Sequence, residues 1–201
     1  TFGVQFEGLT VATSGWEFLL PSHHRLRCSV LGEKRIGPHQ FGLRADIVST
    51  AQRGHEEPLY DASNTVVGAD QRADPLQRLI PGGMASWLVN FEPISKDWTG
   101  TASVVVYTRA PSNYELGANG IHHGTFRFEK GNPPLQSEKS IEARFQGHSK
   151  GNSAKLGWRV QAFSALHWDF IALGPSATFA PISHAGQVYT FTAVNAFRTG
   201  L

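Results

Sequence analysis

Nine histidines in a chain of 201 residues make metal or acid–base chemistry the first thing to look for. Two pairs, His23-His24 and His122-His123, lie in stretches of strand-like composition. Neighbouring residues of a strand project to opposite faces, so neither pair can hold one ion as a pair. No His-Glu-x-x-His and no Cys-x-x-Cys spacing accompanies them. In His167-Trp168-Asp169 the alternation sends His167 and Asp169 to one face and Trp168 to the other, which aligns an imidazole with a carboxylate but supplies no nucleophile. The Gly-x-Ser-x-Gly elbow is absent. Cys28, the single cysteine, sits among Arg25, Leu26, Arg27, Ser29 and Val30 with no signature of a reactive thiol, and reads as a small core residue. The expectation is therefore no catalytic residue, no metal ligand and no cofactor site. The tryptophans offer binding chemistry instead, because an exposed indole can stack on a sugar ring or a base. Of the five, Trp87 and Trp158 occupy alternating apolar positions and read as core, Trp98 and Trp168 are the candidates for exposure, and Trp16 opens a short strand.

The elements that must carry these residues are strands. Phe2-Gly3-Val4-Gln5-Phe6-Glu7 alternates with period two, as do Phe41 to Ile47, with Arg44 and Asp46 between the apolar positions, and Ile141 to Phe145, where Glu142 and Arg144 alternate with Ile141, Ala143 and Phe145. Phe2, Val4 and Phe6 share one face, and Ile141, Ala143 and Phe145 are expected inside. Trp16 to Leu20, Leu26 to Leu31, Trp87 to Phe91, His123 to Glu129, Trp158 to Ala162, Leu166 to Leu173 and Gln187 to Val194 are further strands, with Gly174-Pro175 read as a turn. The centre of the chain is Trp98 to Arg109, whose continuous run Val104-Val105-Val106-Tyr107 predicts an inner strand covered on both faces. Residues 51–83 read as long loops with one short strand near Thr65 to Val67 and a short helix at Asp74 to Leu79, where Asp74 would cap and Pro75 would start it. Eight to ten strands without a convincing helical period predict an all-β protein, a single jelly-roll β-sandwich of eight strands spanning 1–201.

Composition narrows the function. Net charge is +2, acidic and basic residues are mixed, and no Lys or Arg precedes Arg25, so dense phosphate neutralisation of a nucleic acid is not expected. One cysteine and no Asn-x-Ser/Thr sequon favour a reducing compartment. No apolar run approaches the roughly 18 residues of a membrane-spanning helix, and the start lacks the layout of a signal peptide. A start at Thr1 is what release from a longer precursor would leave.

Leu166-His167-Trp168-Asp169-Phe170-Ile171-Ala172-Leu173-Gly174-Pro175-Ser176-Ala177-Thr178-Phe179 resembles the late strand and turn of picornavirus-like capsid proteins, in which an Asp-Phe pair leads into a Gly-Pro turn and a Phe. The Trp98-Thr99-Gly100 entry to a β-branched strand, and His123-Gly124-Thr125-Phe126-Arg127-Phe128, are similar to two central strands of the same jelly roll. Length and the missing basic arm match the small coat protein of comovirus- and fabavirus-type plant viruses in the secovirus family. The resemblance implies a structural subunit of an icosahedral virion, assembled in host cytoplasm with itself and other capsid proteins around an RNA genome that it touches weakly, with no membrane and no enzymatic activity. A carbohydrate- or ligand-binding β-sandwich is the alternative that the tryptophans support. A shell subunit is expected to expose apolar patches on several sides, and a glycan binder a single aromatic platform.

Overall fold

The computed structural model of the chain describes residues 1–14, 18–91, 98–149, 157–179 and 186–201. Its elements are β1 (Phe2–Val11), β2 (His23–Ile36), β3 (His39–Gln52), β4 (His55–Tyr60), β5 (Val66–Ala73), β6 (Leu76–Phe91), β7 (Trp98–Arg109), α1 (Asn113–Gly117), β8 (Asn119–His122), β9 (Arg127–Lys130), β10 (Glu138–Ser149), β11 (Trp158–Phe179) and β12 (Gln187–Gly200). The all-β expectation holds. Ten strands form one sheet in the order β1-β2-β3-β6-β7-β10-β11-β12-β9-β8, and β4 with β5 makes a separate two-stranded ribbon. This differs from an eight-stranded jelly roll, in which two sheets face each other. The eight long strands are a meander, each antiparallel to the next, and the one parallel contact joins β12 to β9 at Val188 to Thr190.

Several elements are longer than the sequence implied. Gly174 and Pro175 do not turn the chain: they continue β11, with Pro175 opposite Tyr189. The helix expected at Asp74 to Leu79 is the start of β6, because the pairing of Gln52 with Leu76 supplies ladder hydrogen bonds that one helical turn could not match. His123 to Glu129 is not one strand: residues 123–126 make the turn of the β8–β9 hairpin, with Phe126 at φ 51°, and Arg127 to Glu129 belong to β9. The strand expected from Trp16 begins outside the described residues, and residues 18–20 are irregular. The helix that does form, α1, is nucleated by a capping box in which the Ser112 hydroxyl accepts from the Glu115 amide and the Glu115 carboxylate accepts from the Ser112 amide.

The longest connections lie at one end of the sheet, where 180–186 also joins β11 to β12. At the other end β2 and β3 are joined by Gly37-Pro38, with Gly37 at φ 58° in the first turn position, where this hairpin geometry requires glycine. Segments 92–97 and 150–157 join β6 to β7 and β10 to β11 at the same end. The opposite end carries the long excursions, 12–22, 53–75 with the β4–β5 ribbon, and 110–137 with α1, β8 and β9. Segment 110–137 folds back against one face of the sheet, here the inner face. The core sits there: Ala110, Leu116, Ala118 and Leu135 from the segment pack on Val48, Ile80, Ile171 and Phe191 from four strands.

The segment packs closely on itself. A Cβ added at Gly131 would lie 2.5 Å from the Gly117 nitrogen and from the Leu116 carbonyl carbon, both backbone atoms that cannot swing aside. Around Gly174 nothing lies within 4 Å. Urea unfolding of Gly131→Ala should therefore show a loss of about 1–3 kcal/mol, whereas Gly174→Ala should stay within about 0.5 kcal/mol of the parent.

Candidate functional surface

The alternation read from sequence is real, but its sense is reversed. Inward positions of β2 and β3 hold His23, Ser29, Asp46, Thr50 and Gln52, all buried, while the apolar positions between them face out: Leu43 is 65% exposed and Ile47 42%. On β10 the residues expected inside, Ala143 and Phe145, are exposed, and Ser140 is buried. Trp87 and Trp158, expected in the core, are 40% and 47% exposed. Val106 is exposed too, so β7 is central in the sheet yet uncovered on its outer face. Of the two tryptophans singled out for exposure, Trp98 is half-buried and Trp168 is exposed.

Following the register across the eight long strands sorts every charge. Outer positions of β1, β3, β6, β7, β11 and β12 carry no Asp, Glu, Lys or Arg, apart from Asp169, which a bulge displaces. Lys34 on β2 and Lys139 on β10 are the charged outer residues, one toward each end. Asp169, at φ 55° in the bulge between His167 and Phe170, reaches Lys139 with its carboxylate 3.2 Å from Nζ, so that charge is paired. The same bulge takes Asp169 away from His167, whose Nδ1 is buried without a hydrogen-bond partner and whose ring lies against Phe170. The two residues do not form an acid–base pair.

The outer face also has an aromatic belt. His39 stacks on Trp87 at 5.9 Å between centroids, Phe91 stacks on Phe145 at 6.0 Å and meets Trp98 edge-on at 5.9 Å, and Trp98 lies 6.3 Å from Trp158. These residues run across β3, β6, β7, β10 and β11 near the short-turn end. Toward the long-loop end Trp168 and Phe170 are exposed on the same face. Ten positions along β11 lead from Trp158 to Trp168, ~33 Å at a rise of ~3.3 Å per residue.

The inner face carries most of the charge of the long strands and is filled at its long-loop half. Arg25 donates to the Pro111 carbonyl at 2.8 Å and to Asn113, whose Oδ1 also accepts from Thr50 at 2.7 Å. Arg78 donates to the carbonyls of Pro133 and Leu135, both at 2.6 Å. Arg109 holds the neck of segment 110–137, bidentate to Glu115 at 2.9 and 3.0 Å and to Glu138 at 2.8 Å, and Glu138 accepts the Ile171 amide at 3.3 Å. Burial pushes the Glu115 carboxyl up, but the hydrogen bonds from Arg109 and the Ser112 amide, with the Arg109 charge, outweigh it and hold the group below the usual carboxylate range. Glu129 on β9 has no such partner; burial alone raises it. Sequence reasoning passed over this triad, although Ser112 and Glu115 carried the capping-box spacing.

Among the described residues no group of three His, Cys, Asp or Glu side chains could hold a metal ion. His23 is buried against the Pro21 carbonyl and His24 faces out beside Thr10, so the first histidine pair divides as alternation requires, while His122 ends β8 bonded to Thr125 and His123 lies in the turn after it. Cys28 is half-buried on the outer face, not a core residue, and is reduced.

No protein-family model matches the chain, and no curated protein matches it in sequence. Among solved structures, the chain is similar in fold to a double mutant of the Serratia marcescens hemophore receptor HasR in complex with its hemophore HasA and heme, with a TM-score of 0.72 and 15% identity over 99% of this chain. The match takes in 35% of the receptor chain, so this sequence spans about a third of it.

Two outcomes follow from the triad and from Glu129. Arg109→Met leaves a buried Glu138 unpaired and should cost roughly 3 kcal/mol in urea unfolding, with added proteolysis of segment 110–137. The two carboxyls titrate with opposite signs. Stability from Glu115 is complete above the ordinary carboxylate range and is lost as pH falls through its depressed folded value, whereas the penalty from Glu129 is present at neutral pH and disappears as acid protonates it. Unfolding measured from pH 7 to 3 should therefore show Glu129→Gln no less stable than the parent at pH 7, and Glu115→Gln losing stability at pH 7 but little at pH 3.

Proposed function

We propose that the chain is part of the wall of a transmembrane β-barrel, of the receptor or transport kind. The observation that carries the reading is the sorting of charge across the eight long strands: an outer face charged only at Lys34 and Lys139, and an inner face that takes the rest, apart from Asp169 in its bulge. An apolar outer surface of this extent is costly in water and matched by hydrocarbon. The three longest connections gathered at one end and an aromatic belt support the same reading. So do the sheet edges. The far side of β1 and residues 191–200 of β12 have no strand beside them, and neither edge carries a proline or a bulge to block pairing. Further strands would complete the wall there. The likeness to a third of HasR adds support for the fold alone, and the ligands in that complex are not carried over to this chain.

Apolar patches on several sides, expected of a capsid subunit, would be supplied by two packed sheets; here most of the exposed apolar surface of the large sheet lies on one face, with Leu59, Tyr60, Val66 and Val67 exposed on the β4–β5 ribbon. The shell reading and the ligand-binding sandwich both rest on the sequence resemblance and on tryptophan content, and the single sheet favours the wall.

Reconstitution into vesicles of brominated phosphatidylcholine tests the proposal. Trp87, Trp158 and Trp168 should be quenched strongly by lipid bromines and weakly by aqueous iodide. Iodide quenching without bromine quenching would overturn the reading. A charge at mid-band gives a second test: Ala143→Arg should lower stability in the bilayer by about 2–4 kcal/mol, while Gln161→Arg on the inner face should change it by less than about 0.5 kcal/mol.

A further inference from the structure

The polar residues of the inner face are not evenly charged. Across the eight long strands it carries nine arginines, at 25, 27, 35, 44, 78, 109, 144, 159 and 198, against five acidic residues, at 7, 33, 46, 138 and 142, and no lysine. The long-loop half uses its arginines to hold segment 110–137, as described for Arg25, Arg78 and Arg109. The short-turn half of β10, β11 and β12 is different. Arg144 stands directly across from Phe163, Arg198 stacks over the Phe163 ring at 5.1 Å, and Arg159 lies two inward positions further along β11. All three are exposed, and Glu142, 2.7 Å from Arg144, is the only carboxylate bonded to any of them among the described residues. Gln146 and Gln161, opposite each other in the register, fill the positions between with neutral donors.

We propose that this stripe, Arg144, Arg159 and Arg198 about Phe163, binds small multivalent oxyanions, solutes carrying several carboxylate or phosphate groups. Guanidinium forks match such oxygens in pairs, and the Phe163 ring fixes one fork in place. Arginine-lined walls of this kind select anions in pores. The inference rests on reading this face as the lining of a polar interior.

Isothermal titration of the whole chain in detergent micelles at an ionic strength of about 0.15 M, where the Debye length is about 8 Å, with citrate and with pyrophosphate, tests it. The parent should bind both saturably, and R159Q/R198Q should weaken each by about ten-fold or more. K34Q/K139Q removes the same charge from the outer face and should leave both affinities within about two-fold, since exposed charges that far away are screened. If R159Q/R198Q does not fold, R159K/R198K keeps the charge and loses the forks, and should bind about three-fold or more weakly. No saturable binding by the parent, an equal loss in K34Q/K139Q, or unchanged affinity in R159K/R198K would overturn the proposal. Bromine quenching of the outer tryptophans in the same preparation separates this failure from failure of the barrel reading.

Discussion

Antiparallel pairing fixes everything else in this chain. Once β3 is registered with Phe41 opposite Trp87 and Asp46 opposite Gly82, the period of two sends every second side chain to each face with no further choice. A slip of one residue would carry Arg44 and Asp46 to the outside and Leu43 and Ile47 to the inside. The register is held on both faces, by aromatic contacts outside and by ion pairs inside. Arg27 reaches Glu7 across the β1–β2 pair at 3.2 Å, and Arg109 reaches Glu138 across the β7–β10 pair at 2.8 Å. Buried Ser29, Thr50 and Ser140 are small enough to let segment 110–137 approach.

That segment explains why an apparently inside-out sheet still has a core. The segment covers the inner face at Val48, Ile80, Ile171 and Phe191, and the buried core is made there. The Arg109 triad closes the neck of the excursion between β7 and β10, which are themselves paired at Arg109 and Glu138. Anchoring and pairing thus reinforce each other at one place. The short-turn half has no cover of this kind, and there the inner arginines are left exposed.

The strands were largely legible in the sequence, and the direction of their faces was not. Alternation at Phe41 to Ile47 and Ile141 to Phe145 reports that two faces differ, without saying which meets water, because that depends on what surrounds the sheet. The habit of placing apolar residues inside then misassigned Trp87 and Trp158. One signal for the correct sense was present: the charges on β3, β6, β7 and β11 fall in phase, strand after strand, with outer positions empty of them. Gly174-Pro175 misled because a Gly-Pro pair is usually a turn, yet on β11 it meets a partner strand that keeps it extended. The capsid-like motifs lie on β7, β9 and β11, and runs of β-branched and aromatic residues of that length are shared by any long strand. Segment 110–137 was out of reach, since its place depends on contacts between residues such as Arg78 and Leu135 far apart in the chain.

The outward sense of β3 is the centre of the account, and one labelling series measures it. In a Cys28→Ser background, a single spin-labelled cysteine is placed in turn at each position from Gln40 to Ile47, and the protein is reconstituted in lipid bilayers. Collision with oxygen, which concentrates in hydrocarbon, should peak at 41, 43, 45 and 47, and collision with a water-soluble nickel chelate at 40, 42, 44 and 46. Oxygen peaks at the even positions, or nickel access without alternation along the whole strand, would contradict an outer face built for lipid.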